Sequence, residues 1–342
     1  MPRLLHIADL HIGYKGREED ILSQLEKVVK VALEVRADLI LIAGDVFHRA
    51  DPSRAEREGF LKTLSPFLQR DKGVVAISGN HDQGALGRLP QREGVHLFEE
   101  PETLEMGELA LHLFPFSPEG TGRDLITKRR PSSARYQIGI CHGSYISNPQ
   151  VFAHLGEEGA LYYPISSVEV RGSGFHYLAL GHYHNPSLWR EGGTVCGYPG
   201  TVEPLSFREI GPRKAFLIIC EDGVRVEEIE LGSQREYRIL NWKVGVDVQE
   251  GELSGRLKEL SQQQRVFFRV VLEGMVREGR LLHLQLQEMP PNVEVVDRTL
   301  DLSRIKADPL LEAFYRVVKE RGEGEIWDRV LVRGLSLLGH ED

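Results

Sequence analysis

The feature that most constrains this chain is a repeated junction in which a short apolar run ends in a polar cluster. Leu4 to Ala8 runs into Asp9-Leu-His11, and Leu39-Ile-Leu-Ile-Ala43 into Gly44-Asp45-Val-Phe-His48. Val74-Val-Ala-Ile77 precedes Gly79-Asn80-His81-Asp82. The pattern returns at Gln137-Ile-Gly-Ile-Cys-His142 and at Tyr177-Leu-Ala-Leu180, which leads into Gly181-His182-Tyr-His184. Apolar runs this short fit buried strands better than helices. Between the first three runs lie helical stripes, Ile21, Leu22, Leu25, Val28, Val29, Ala32 and Leu33 in 20–36, then Phe60, Leu61, Leu64 and Leu68 in 53–69. Strand, helix, strand, helix, strand predicts parallel pairing with crossover helices, an α/β fold.

Open α/β sheets place their sites beyond the carboxyl ends of the strands, where all five clusters fall. Residues two apart on a strand point the same way, so Asp9 and His11 are expected to face one spot, and so are His182 and His184. A carboxylate beside an imidazole is a natural metal corner. Gly44 allows a sharp turn that projects Asp45 over the sheet. Asn80 offers a hard amide oxygen, and His81 beside it exchanges protons near neutral pH. Each cluster alone has a plain structural explanation: a strand-end cap at Asp9, a turn cap at Asp45, a satisfied core group at His142. Together they hold six of the thirteen histidines, and one shared site explains them better than five separate accidents.

Further along, strands are expected at Ala110–Phe114, Tyr136–Cys141, Tyr177–Leu180, Thr194–Cys196, Lys214–Cys220 and Val224–Glu230, forming a second sheet packed on the first. Long polar loops, 117–135 and 144–173, separate them and read as functional or mobile. The composition shifts near residue 232. The pattern then restarts as strand (Glu236–Trp242), helix (Glu252–Gln262), strand (Val266–Leu272), helix (Glu278–Gln287) and strand (Val293–Val296). Residues 308–338 read as two short helices around Gly322-Glu-Gly324. The expected organisation is a catalytic domain over 1–231, a small α/β cap over 232–305 and a helical segment over 306–342.

Net charge is −9, which by itself does not suggest a nucleic-acid binder. Two bound divalent cations would offset about half of that charge at the site itself. Three sparse cysteines, Cys141, Cys196 and Cys220, suit a reducing compartment. No apolar run approaches the ~20 residues of a membrane span. The amino terminus enters a polar motif at once, unlike a signal peptide. A cytoplasmic protein is expected.

The order Asp-x-His, Gly-Asp-x-x-His, Gly-Asn-His-Asp, His, Gly-His-x-His resembles the calcineurin-like metallophosphoesterase superfamily over about the first 231 residues. Within it, the chain is most similar to the double-strand-break repair nucleases called SbcD in bacteria and Mre-eleven in eukaryotes and archaea. The opening Leu-Leu-His-Ile-Ala-Asp9-Leu-His11-Ile-Gly, the stretch Leu-Ile-Ala-Gly-Asp45-Val-Phe-His48 running into Asp51-Pro52-Ser53, and a following cap carry that likeness. His48 matches the Mre-eleven branch, since SbcD proteins often have aspartate there. Tyr198-Pro199-Gly200-Thr201 sits where the family has a Pro-Gly-Ser/Thr turn.

The resemblance implies a four-layer αββα sandwich of two mixed sheets. It implies two divalent metals, manganese foremost and magnesium next. Asp9, His11, Asp45 and His184 would hold one metal; Asp45, Asn80, His142 and His182 would hold the other, with Asp45 shared. His81 would lie beside the scissile phosphate, with His48 positioning it or the DNA backbone. The implied activity is DNA exonuclease (3′→5′) and single-strand endonuclease. The implied partners are DNA, an SMC-like coiled-coil ATPase of the SbcC type bound by the terminal helices, and a second copy of the chain, with helix 53–69 as a possible shared face. Arg88, Arg92, Lys128, Arg129 and Arg130 are the candidate DNA contacts. Two other readings remain: a phosphoesterase for small diesters or phosphoproteins, and a non-catalytic scaffold. The protein-phosphatase pattern Gly-Asp-x-x-Asp-Arg-Gly is absent, and a pure scaffold would not need an intact ligand set.

Overall fold

A computed structural model describes residues 1–147, 162–276 and 290–322, together with 326, 327, 330, 331, 333 and 334. The chain divides into two compact units, Met1–Arg235 and Glu236–Asp342.

In the first unit, β1 (Arg3–Ile7), β2 (Leu39–Ala43), β3 (Gly73–Ile77) and β4 (Val95–Phe98) pair in parallel in that order. The crossovers are α1 (Glu18–Glu34) and α2 (Arg54–Leu68). The second sheet comprises β5 (Glu102–Met106), β6 (Leu109–Phe114), β7 (Tyr136–His142), β8 (Tyr177–Gly181), β9 (Ser187–Glu191) and β10 (Thr194–Tyr198), in the order β5-β6-β7-β8-β10-β9. Its four inner strands are parallel, and both edge strands are antiparallel to their neighbours.

Strand periodicity builds the layers. Successive side chains point to opposite faces, so Leu5, Ile7, Ile40 and Ile42 pack against α1 and α2 with Leu25, Val28, Phe60 and Leu64. Their neighbours Leu4, Leu41, Val75 and Ile77 face the second sheet and meet Leu111, Ile138, Ala179 and Val195. The far side of that sheet, with Phe114, Cys141, Leu178 and Leu180, is covered by Leu125 and Val170 from short helices at Asp124–Thr127 and Ser167–Ser173. Helix, sheet, sheet, helix is the expected sandwich.

Two details differ from the expectation. Strands β11 (Lys214–Cys220) and β12 (Val224–Glu230) belong to the first sheet: β11 is antiparallel to β1, with Arg3 opposite Ile219, and β12 lies outside it. Six of β11's seven residues are buried, so either sheet would accept it, and its partner lies two hundred residues away. Strands β4, β5 and β9 escape sequence reading because none is a continuous apolar run and none is fully buried.

The apolar stripe of α2 is taken up by the chain's own core, with Phe60, Leu61, Leu64 and Phe67 all buried. That stripe therefore lends no support to a face shared by two copies. All three cysteines are free and buried. No described helix is long and apolar enough to cross a membrane.

The second unit has three parallel strands, β13 (Glu236–Val244), β14 (Val266–Val276) and β15 (Val293–Asp297), and a two-residue β16 (Leu300–Asp301) paired with β14. Helix Leu253–Ser261 buries Leu253 and Leu257 against Phe268, Val270 and Leu272. Helices Leu302–Ala307 and Pro309–Arg321 follow, with Ile305, Val318 and Leu331 in a small cluster of their own. Leu310, Val317 and Val330 stay exposed. The expected helix Glu278–Gln287, and residues 335–338 at the end of the helices expected over 308–338, lie outside the described residues.

Helix α2 begins with a capping box: Ser53 Oγ accepts from the Glu56 N–H at 3.2 Å, and Glu56 Oε2 accepts from the Ser53 N–H at 2.6 Å. Replacing Ser53 with Ala should lower stability by about 1 kcal/mol. A chemical denaturation midpoint checks this; an unchanged midpoint would mean that Glu56 holds this helix start alone.

Candidate metal centre

Strands β1, β2, β3, β7 and β8 end together, and hydrogen bonds carry their register into the loops beyond. Asp9 N–H donates to Gly44 O at 3.1 Å, His11 N–H to Asp45 O at 2.9 Å and Ile12 N–H to Val46 O at 3.0 Å. His182 N–H donates to both Asp9 carboxylate oxygens at 3.0 and 3.1 Å, which ties the second sheet to the first. Buried Asp82 accepts from Gly79 N–H at 2.7 Å and Phe47 N–H at 3.1 Å, stapling the loops after β2 and β3.

The reason the Asp9/His11 and His182/His184 pairs lie where they do differs from the alternation argument. Asp9, His11, Asp45 and His182 stand beyond the strands with φ of 52°, 51°, 52° and 111°. Such left-handed conformations cost on the order of 1–3 kcal/mol each and gather at functional sites. His182 and His184 consequently separate rather than share a side. The His182 ring meets His142 at 5.5 Å between centroids, and His184 Nε2 lies 3.2 Å from His11 Nε2. Glycines supply the room: a Cβ on Gly44 would lie 2.1 Å from His142 Nδ1, and one on Gly79 would lie 2.0 Å from Asp45 Oδ1.

All nine residues expected at the centre converge. Asp45 Oδ1 accepts from His81 N–H at 3.0 Å. Its Oδ2 lies 3.7 Å from His11 Nε2 and 3.5 Å from His142 Nε2, outside hydrogen-bonding reach of both. His142 Nδ1 is 2.9 Å from Ala43 O, which can only accept, so Nδ1 carries the proton. Its Nε2 therefore turns a lone pair toward Asn80 Oδ1, 2.9 Å away. His184 Nδ1 faces Glu209 Oε1 at 3.1 Å in the same way, leaving Nε2 toward His11. At His142 and Asn80 an acceptor thus faces an acceptor at about the separation expected of ligands sharing one ion at bond lengths near 2.1 Å. The donor set, imidazole, carboxylate and amide oxygen, suits a divalent cation.

Among the described residues, the ligand atoms of His11, His48 and His81 lie within 4.8 Å of one another, and so do those of Asp9, Asp45 and His142. Asp9 thus shares a group with His142. His48 stacks on His81 at 5.0 Å and touches Tyr14 edge-on at 4.8 Å. His81 Nδ1 is 3.3 Å from His48 O, which leaves its Nε2 as the ring nitrogen available to a substrate. Asn80, His81 and His48 are half-buried, whereas Asp9, His11, Asp45, His142, His182 and His184 are buried.

The basic candidates stand apart. Exposed Arg88 pairs with Asp51. Arg92 donates to Leu61 O and Ser65 Oγ, bracing α2. Lys128 pairs with Asp124, Arg130 with Glu102, and Arg129 donates to Ser173 O. Among the described residues, no hydrogen bond or ion pair ties any of these five to the histidine cluster. Sequence reading also overlooks the buried polar residues behind it, Glu209 and Arg213, because a single Glu or Arg in a loop has no motif around it.

Burial shifts the ligand groups in opposite directions. It pushes the Asp45 carboxyl up and holds His11 well below the usual imidazole value; His142 and His182 fall to about 3. An imidazole ordinarily near 6.5 that is depressed in the fold takes its proton first in the unfolded chain. Its contribution to stability is thus lost as pH falls from about 6.5 toward about 3. Asp82, pushed up to about 8 by burial and by Asp45, acts in the opposite sense, costing stability as pH rises toward that value. A direct reading of one group avoids the cancellation. Imidazole ¹⁵N shifts of His142 in metal-free protein should stay neutral from pH 7 down to about pH 4.5; a titration midpoint near 6.5 would contradict this environment.

The sequence profile described as "Calcineurin-like phosphoesterase" matches residues 2–186. The "DNA double-strand break repair protein Mre11" of Aeropyrum pernix is 25% identical over 269 residues, 70% of this chain and 63% of that protein. The "Uncharacterized metallophosphoesterase YhaO" of Bacillus subtilis is 26% identical over 310 residues, 81% of this chain and 73% of that protein. A protein of the same organism named as a subunit of the nuclease SbcCD is 26% identical over 259 residues, 64% of this chain and 66% of that protein. The chain thus spans about two thirds of the length of these relatives. With the profile covering more than half of the chain, including every loop from Asp9 to His184 that feeds the centre, this protein belongs to the calcineurin-like phosphoesterases.

Proposed function

We propose that this phosphoesterase is a nuclease that hydrolyses DNA phosphodiester bonds with two divalent cations, manganese foremost, in double-strand-break repair. The observation that carries the reading is the meeting of buried carboxylate and imidazole groups with the half-buried Asn80 amide around Asp45 Oδ2, which a cation pair would reconcile. The relatives named for break repair and as a nuclease supply the substrate class.

In this reading, Asp9, His11, Asp45 and His184 hold one cation and Asp45, Asn80, His142 and His182 the other. When bound, the pair supplies hydroxide near neutral pH and neutralises charge on the phosphoryl oxygens. The chain's own residues do the rest. The His81 backbone N–H fixes the shared carboxylate, while its half-buried ring, as an imidazolium with Nδ1–H toward His48 O, gives its Nε2 proton to the leaving oxygen and is left neutral. His48, wedged between Tyr14 and His81, holds that ring in place. Depressed imidazole values keep the ligands free of competing protons.

The wider assignments belong to the same proposal: exonuclease (3′→5′) and single-strand endonuclease activity, DNA specificity in residues 232–305, and an SMC-like ATPase partner on 306–342. A relative named as one subunit of a nuclease, and exposed Leu310, Val317 and Val330, support the partner. Exposed pairs such as Arg88–Asp51 and Arg130–Glu102 are weak and easily exchanged for phosphate, which supports both arginines as DNA contacts.

The test combines substrate and residue. Purified protein with Mn²⁺ should degrade labelled DNA. His81→Ala should lower turnover by about 10²–10⁴-fold while still binding two Mn²⁺ per chain, and Asp45→Ala should lose both ions. Hydrolysis of bis-p-nitrophenyl phosphate with intact DNA would move the protein to the small-diester branch.

A further inference from the structure

Two of the candidate ligand histidines are backed by different groups. Behind His142 stands a neutral backbone carbonyl, Ala43 O. Behind His184 stands the carboxylate of Glu209, itself only 3% exposed. That carboxylate cannot swing away. Its Oε1 also faces Ser206 Oγ at 3.4 Å, while Oε2 accepts from Thr201 Oγ1 at 2.8 Å and from Leu205 N–H at 2.9 Å. Arg213, 1% exposed, donates from Nη1 to the His184 carbonyl at 2.9 Å and to Thr201 Oγ1 at 3.3 Å. The segment from Thr201 to Arg213 thereby grips His184 at both ring and backbone.

A full negative charge behind Nδ1–H does more than a carbonyl dipole. Charge-assisted hydrogen bonds are roughly twice as strong as neutral ones, and an anionic partner raises the basicity of the opposite ring nitrogen. The lone pair that benefits is His184 Nε2, 3.2 Å from His11 Nε2.

We propose that Glu209 is a positioning residue for metal binding: it fixes His184 as the Nδ1–H tautomer and makes the cation position shared by His11 and His184 the tighter of the two. The proposal rests on the reading that these histidines hold cations.

Two measurements test it. Full-length metal-free protein is titrated with Mn²⁺ while free Mn²⁺ is followed by electron paramagnetic resonance. Wild type should show two binding steps. Glu209→Gln, nearly identical in shape, should weaken the tighter step by about 10–100-fold and leave the other in place, whereas His142→Ala should keep the tighter step. An unaltered profile for Glu209→Gln, or loss of its weaker step alone, overturns the proposal. Wild type that binds no Mn²⁺ overturns both this proposal and the function beneath it. Should the variant fold poorly, ¹⁵N imidazole spectra of unsubstituted metal-free protein at pH 8 decide the matter. A proton on His184 Nδ1 supports the assignment, and an Nε2–H tautomer overturns it.

Discussion

Carboxylate and imidazole groups buried face to face, with the half-buried Asn80 amide among them, are the constraint on which this structure depends. Asp9, Asp45, His11 and His142 are almost completely excluded from water. A buried charge without a partner is expensive, so the groups either become neutral or acquire a cation. The shifts show the first response: burial drives the Asp45 carboxyl upward and the imidazoles downward, both toward neutrality. The tautomers show readiness for the second, because Ala43 O claims the His142 proton and directs the free lone pair toward Asn80 and Asp45.

The fold pays for this arrangement through its loops. Left-handed backbone at Asp9, His11, Asp45 and His182 is sustained by parallel hydrogen bonding between the loops after β1 and β2, and by the Asp82 staple after β3. The two sheets are joined at the same point, where the Asp9 carboxylate accepts from His182 N–H. A site assembled from both sheets is as rigid as their packing, which favours the close positioning that a shared carboxylate requires. His81 and His48 sit toward the open side of this cluster, where a substrate would arrive.

Much of this was legible in the amino-acid order. Leu39 to Ala43 is apolar enough to mark a buried strand, and Gly44-Asp45 directly after it marks the site. What escaped reading has particular causes. Strand β11 pairs with β1 across most of the first unit, and no local pattern encodes a partner so distant. Strand β5, Glu-Thr-Leu-Glu-Met, is an edge strand with no buried residue, so its side chains carry little signal. Alternation correctly brought Asp9 and His11 to one centre but for the wrong reason, since both lie past the strand with positive φ. Glu209 became visible only once the fold set it behind His184.

The measurement closest to the central claim is an anomalous difference map at the manganese edge from crystals of this protein soaked in Mn²⁺. The account predicts two peaks about 3.5–4 Å apart, with Asp45 Oδ2 between them, one flanked by His11 and His184 and the other by Asn80, His142 and His182. A map with no peak there, or with a single ion that leaves Asp45 uncoordinated, would contradict it.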